Sequence, residues 1–160
     1  MLFGPPPPAA SWQHHQARAG FEVAYFQPAR GGWLVDGTTS AVEDGQTWAV
    51  TYRIELDAGW ATRAAHISSR TVTGAHAVRL DADGAGHWRV DGVPAPGLDG
   101  CLDVDLESSA MTNTFPVHRL GLADGAQASA PAAYVPALDL TAARLEQTYR
   151  RTASPDTQPR

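Results

Sequence analysis

Apolar and polar residues alternate along most of this chain with a period of two, and Gly, Asp and Pro break the alternation at short intervals. Side chains on a β-strand point by turns to opposite faces, so the pattern predicts an antiparallel sheet with one buried and one solvated face. Strands are predicted at Phe21 to Gln27, Gly32 to Asp36, Thr47 to Leu56, Ala61 to Thr71, His76 to Leu80, His87 to Val90, Gly100 to Leu106, Val117 to Leu120, Ala132 to Leu138 and Ala143 to Arg150. Hairpin turns are predicted at Ala29 to Gly32, Thr73 to Ala75 and Asp81 to Gly86, where DADGAG supplies residues that tolerate positive φ. The DG at Asp91 and Gly92 opens a longer loop, and ADGAQASAPA from Ala123 reads as a second. Over Thr141 to Arg150 a short helix capped by Thr141 competes with a strand, which is the preferred reading. The fold expected from this pattern is mainly β and antiparallel, with little helix.

One stretch departs from plain patterning. In LDGCLDVDLESSAMTNTFPVHRL, Leu98 to Leu120, the residues Asp99, Cys101, Asp103, Asp105 and Glu107 share one face of a strand, opposite Leu102, Val104 and Leu106. Carboxylates at i and i+2 stand about 7 Å apart at Cα, close enough to share an arginine, a metal or a substrate hydroxyl. Arg119 and Arg63 are the arginines expected to meet Asp103 and Asp105, since guanidinium forks match carboxylates. Thr112 to Thr114 are expected to form a polar corner closed by Pro116. Solvated carboxylates and a catalytic or metal-binding pair stay open beside the ion-pair reading.

Length and composition narrow the field. A chain of 160 residues with 43% hydrophobic content supports one domain with a real core. The organisation expected is a proline-rich disordered arm over 1–11, a β domain over 12–151 and a disordered tail over 152–160. Net charge is −5 and all twelve basic residues are arginine, without a basic stripe. Nucleic acid is therefore not an expected partner. No apolar run approaches the roughly 20 residues of a membrane helix, and the proline-rich start lacks the h-region of a signal peptide, so no membrane insertion and a cytoplasmic location are expected. The single cysteine, Cys101, removes a disulfide framework.

Catalytic signatures are thin. His66, His76, His87 and His118 show no metal-ligand spacing, and DADGAG lacks the later ligands of a calcium loop. No metal site or cofactor is expected. Cys101 with His118 as base is the sharpest enzymatic alternative, but Asp99 and Asp103 beside the thiol oppose thiolate formation. The five tryptophans serve either the core or the lining of a ligand cavity. Thr112 and Asn113, between Met111 and Phe115, suit either the rim of such a cavity or a capped turn.

Through GCLDVDL at Gly100 to Leu106 and TNTFP at Thr112 to Pro116, the chain resembles the putative glycolipid-binding proteins, an uncharacterised bacterial family. Supporting pieces are Trp12 with GFE at Gly20 to Glu22, YRIELDAGWATR from Tyr52, GHW at Gly86 to Trp88, AAYVPALDL and EQTY at Glu146 to Tyr149. The resemblance implies a single curled antiparallel sheet, a spiral β-roll or half-barrel similar to bacterial lipoprotein carriers, whose concave side holds an apolar ligand. Ala110, Met111 and His118 depart from the family pattern. Family members commonly continue with further strands beyond the point where this sequence runs into TASPDTQPR, which implies an open edge or cavity here.

The function expected is thus non-catalytic binding of a small amphipathic ligand, a glycolipid or lipid. Trp60, Trp88 and Met111 are candidates for apolar lining, and Arg63, Asp103, Asp105, Thr112, Asn113 and Arg119 for polar orientation. A carbohydrate- or lipid-directed hydrolase, and an interaction module acting through an open sheet edge, are the alternatives.

Overall fold

The computed structural model describes residues 4–15 and 18–152; the outermost parts of the expected arm and tail lie outside the described residues. Eight strands follow one another in space as in sequence, each antiparallel to the next. They are β1 (Ala9–His14), β2 (Ala19–Ala29), β3 (Gly32–Glu43), β4 (Gln46–Asp57), β5 (Thr62–Thr71), β6 (Gly74–Ala82), β7 (Trp88–Val90) and β8 (Val93–Pro94). The sheet does not close, so β1 and β8 are its two edges. Asp44 with Gly45, and Asp91 with Gly92, make the tight turns into β4 and β8, all four at positive φ as a two-residue hairpin loop requires.

The alternation carries the sheet as expected. Across the inner face, Phe26, Val35, Ile54, Ala65 and Leu80 are cross-strand neighbours, and Ala24, Gly37, Tyr52, Ile67 and Val78 form the next row. Gly37 leaves its place to the Tyr52 ring, which a Cβ there would strike. A third row, Glu22, Thr39, Val50 and Ser69, is buried although three of its four members are polar.

A second layer covers that face. After a 3-10 turn at Pro96–Leu98 it comprises β9 (Asp103–Leu106), a 3-10 turn at Met111–Asn113, the helix α1 (Thr114–Leu120), β10 (Gln127–Ser129), β11 (Ala132–Val135), β12 (Ala143–Leu145) and β13 (Thr148–Arg150). β11 lies between β9, to which it is parallel, and β12; β10 pairs with β13. Leu98, Cys101, Val104, Leu106, Met111, Phe115, Ala133 and Val135 enter one core with the sheet residues. The inner side of the sheet is therefore filled by the chain itself.

Glu22 fastens the two layers. Its carboxylate accepts hydrogen bonds from the Tyr52 hydroxyl (2.7 Å), the Ala110 amide (2.8 Å) and the Ser109 hydroxyl. Burial first, and the Glu22 charge second, push the Tyr52 phenol well above its ordinary range, so it stays a donor.

Several expectations are corrected here. TNTFP is not a corner before a strand: Thr112 and Asn113 end a 3-10 turn, Thr114 begins α1, and Val117 to Leu120 are helical. Pro116 sits in the first turn, where its missing N–H removes no intrahelical bond. Gly121, at φ 50°, ends the helix in the left-handed conformation and donates its N–H to Val117 O (3.3 Å). β1 begins at Ala9, inside the expected arm, and β10 forms within the expected loop. The strand expected over 132–138 stops before Pro136, which has no N–H to donate. That expected over 143–150 divides into β12 and β13, which join different sheets.

Candidate functional site

The acidic face survives only in part, because β9 spans four residues and only Asp103 and Asp105 share its side toward α1. Asp103 is 2% exposed and receives both prongs of Arg119, Nε to Oδ1 at 3.1 Å and Nη2 to Oδ2 at 2.5 Å. Burial pushes the Asp103 carboxyl above the ordinary carboxylate range, while the Arg119 guanidinium pulls it back. Arg119 comes from α1 rather than from a neighbouring strand, so the helix is what delivers the expected ion pair.

Among the described residues no arginine pairs with Asp105. This carboxylate accepts from the Thr112 hydroxyl (2.9 Å) and from the side-chain amide of Gln147 (2.5 Å). The Tyr149 hydroxyl lies 2.8 Å from Asn113 Oδ1 and 3.0 Å from Gln147 Oε1. Tyr149 is pushed up to about 12, by burial and then by the charges of Asp105 and Asp103, and remains a neutral donor. The polar network thus has two parts, the Asp103–Arg119 pair and, sensed by it through charge alone, a hydrogen-bonded set of Thr112, Asp105, Gln147, Tyr149 and Asn113. Gln147 and Tyr149 were not singled out as site residues; their only signal was the EQTY piece of the family resemblance.

The remaining candidates lie elsewhere. Trp60 is buried and stacks on His118 of α1, ring centroids 4.0 Å apart, with the Trp33 ring tilted against it at 5.5 Å. A φ of 69° is unusual for a tryptophan, and Asp57 imposes it: Oδ1 accepts the amides of Gly59 (2.9 Å) and Ala61 (3.0 Å), and the Asp57 carbonyl accepts that of Trp60 (3.0 Å). Arg63 does not meet the aspartates; it gives Nε to Ala82 O (3.3 Å) and sits 3.8 Å from Asp57. Trp88 and Met111 are core residues, 2% and 0% exposed, and the Trp88 indole donates to Cys101 O (2.9 Å).

Beside the polar network runs a cleft of about 230 Å³, lined by Val117 and Leu120 of α1, Leu122, Tyr149, Arg150, Arg151 and Thr152. Its apolar wall is the exposed side of the helix that anchors Asp103 from beneath. Arg151 is fixed by Asp124 (2.6 Å) and by Leu122 O (3.1 Å). Neither aliphatic residue of α1 in this wall was expected to line a site, because 117–120 was read as a strand.

Both carboxylates already hold donors, so neither stands open to a cleft as an acid or base. Cys101 is fully buried, and burial pushes its thiol up against the opposing pull of Arg144, whose Nη1 lies 3.8 Å from Sγ. His118, pushed down by burial, spends its ring face on Trp60. The DADGAG segment is a turn, with Asp83 Oδ1 accepting the amides of Ala85 (2.7 Å) and His87 (3.1 Å).

The family model described as "Putative glycolipid-binding" matches residues 9–160. A crystal structure of a DUF1089 family protein from Pseudomonas aeruginosa is 34% identical, with a TM-score of 0.73, over 88% of this chain and 74% of that one. No curated protein matches the chain. The match runs through both layers and through every member of the polar network, and the chain belongs to the putative glycolipid-binding family.

Proposed function

We propose that the protein binds a small amphipathic ligand, a lipid or glycolipid, without covalent chemistry, and that the ligand's apolar part rests in the cleft between α1 and β13. The observation that carries this reading is the cleft itself: Val117, Leu120 and Leu122 leave apolar surface uncovered beside Tyr149 and two arginines. Pockets that enclose whole drug-sized ligands run from about 300 to 1,000 Å³, so a cleft of about 230 Å³ holds one end of an amphiphile and leaves its head at the rim. The inner face of the sheet, the place suggested by resemblance to lipoprotein carriers, is occupied by core side chains.

The hydrolase alternative lacks support, because Asp103 and Asp105 are both engaged and Cys101 is buried. Mass spectrometry of an organic extract of the purified protein is expected to show a co-purifying lipid, and melting temperature is expected to rise with at least one lipid or glycolipid in a panel. Leu120→Asp places a charge in the apolar wall and is expected to abolish that rise while the protein stays folded. A clean extract with no rise across the panel overturns the reading.

A further inference from the structure

The two edges of the large sheet are not equally guarded. β8 is two residues long and ends in Pro94, which suits an edge that must not recruit a further strand. β1 is six residues, AASWQH, without proline, lysine or acidic side chain, and pairs only with β2 among the described residues.

Its backbone polarity follows from the register. Ala10 faces Ala24, Trp12 faces Glu22 and His14 faces Gly20, while Pro8 O accepts the Phe26 amide at 2.9 Å. Pro8 therefore directs its carbonyl toward β2, and in an antiparallel ladder so do alternate residues 10, 12 and 14. Ala9, Ser11 and Gln13 direct both N–H and C=O away from the sheet, and all three side chains are exposed.

We propose that two copies of this chain join through β1, antiparallel about a two-fold axis at Ser11, so that the sheet runs continuously across a dimer. Pairing between outward-facing residues sets the register: Ser11 meets Ser11 of the second copy and Ala9 meets Gln13, which satisfies every outward N–H and C=O of the strand. On the inner face the same register places Trp12, half-buried in the single chain, over the small Ala10 of the other copy. On the outer face it opposes Ser to Ser and Ala to Gln, with no like charges to repel. Pairing stops at the ends of β1, because Pro7, the next outward residue, has no N–H. A two-fold interface has to be self-complementary, and the register centred on Ser11 is the one that pairs all three outward residues of β1 with one another. The proposal is independent of the ligand cleft.

Light scattering on the full chain is expected to show a dimer that dissociates on dilution, since so short a strand gives a modest interface. Ser11→Lys puts two ammonium groups opposite each other on the axis. The side chain is exposed, so the variant is expected to melt like the parent but remain monomeric. Ser11→Cys provides a second readout that does not depend on Ser11→Lys folding. Cys101 is buried, so a short thiol-specific crosslinker is expected to join two copies of Ser11→Cys and not two copies of the parent. A parent chain that stays monomeric at high concentration overturns the proposal. So does a dimer that persists in Ser11→Lys, or a dimer whose Ser11→Cys form does not crosslink.

Discussion

Asp103 and Glu22 show how a buried carboxylate is made tolerable, and by different means. Asp103 relies on one guanidinium, whereas Glu22 relies on three uncharged donors from two layers. The Asp103–Arg119 pairing was legible from proximity and fork geometry. Glu22 was visible only as part of a GFE piece, although Glu22, Ala24 and Phe26 lie on one strand face and a lone acid among apolar residues signals a buried partner. Removing one member of a buried pair strands the other, typically at about 3–5 kcal/mol. Arg119→Met is thus expected to lose about 3 kcal/mol in urea unfolding near neutral pH. The loss should shrink in acid. Without Arg119, burial and then the Asp105 charge act on Asp103 and hold its folded-state value above the unfolded one. The native state then binds the extra proton, and stability rises as pH falls through that raised value. A deficit that is constant from neutral to acid pH would show that Asp103 is not the group left stranded.

Among the elements, β4 and β5 were legible because period two is sustained over ten or more residues, whereas β3, expected only over 32–36, runs on through Gly37 to Glu43 without strict alternation. α1 was not, since seven residues cannot display a helical period against a β background. Its punctuation was there to be read: Pro116 in the first turn and Gly121 beyond the last. With 117–120 taken as a strand, the cleft wall of Val117 and Leu120 could not be seen, although the polar residues beneath it could. The loop between β6 and β7 was read correctly as a turn, and its electrostatics permit a sharp test. Asp83 Oδ2 lies 2.7 Å from His87 Nδ1, which holds Asp83 down at about 2 and raises His87 above the ordinary histidine range. The contact is complete below that range and is lost as pH rises through the raised value. By NMR titration, Asp83→Asn is expected to lower the His87 midpoint, since the charge is gone. Its remaining Oδ1 can still accept the Ala85 and His87 amides, so their exchange protection should persist. An unchanged midpoint would refute the assigned cause.

At the scale of the whole molecule, alternation predicted antiparallel strands and the family resemblance a curled sheet, but neither predicted what lies against it. The second layer is built from three- and four-residue strands and turns, too short for any period, and includes a parallel pairing of β9 with β11 across an intervening helix. The expected cavity rested on the five tryptophans and on the concave side that the family resemblance implies. What fills that face is the acidic stretch itself, whose Val104, Leu106, Met111 and Phe115 are each at most 2% exposed. Layers so joined should not come apart separately. Glu22 ties the sheet to residues 109–110, and the Ser69 hydroxyl donates to Ala137 O at 2.5 Å. Trp48 and Trp88 lie in a core that draws side chains from both layers. Tryptophan fluorescence reports that shared core and far-ultraviolet dichroism reports the strands. The two urea transitions are therefore expected to coincide, with a single midpoint and slope. A sheet enclosing an open cavity under a loosely attached cover would behave differently: the cover would detach first, and fluorescence would change before the strands melt. Separate transitions would thus reject the single two-layered core and restore the inner face as a place for ligand.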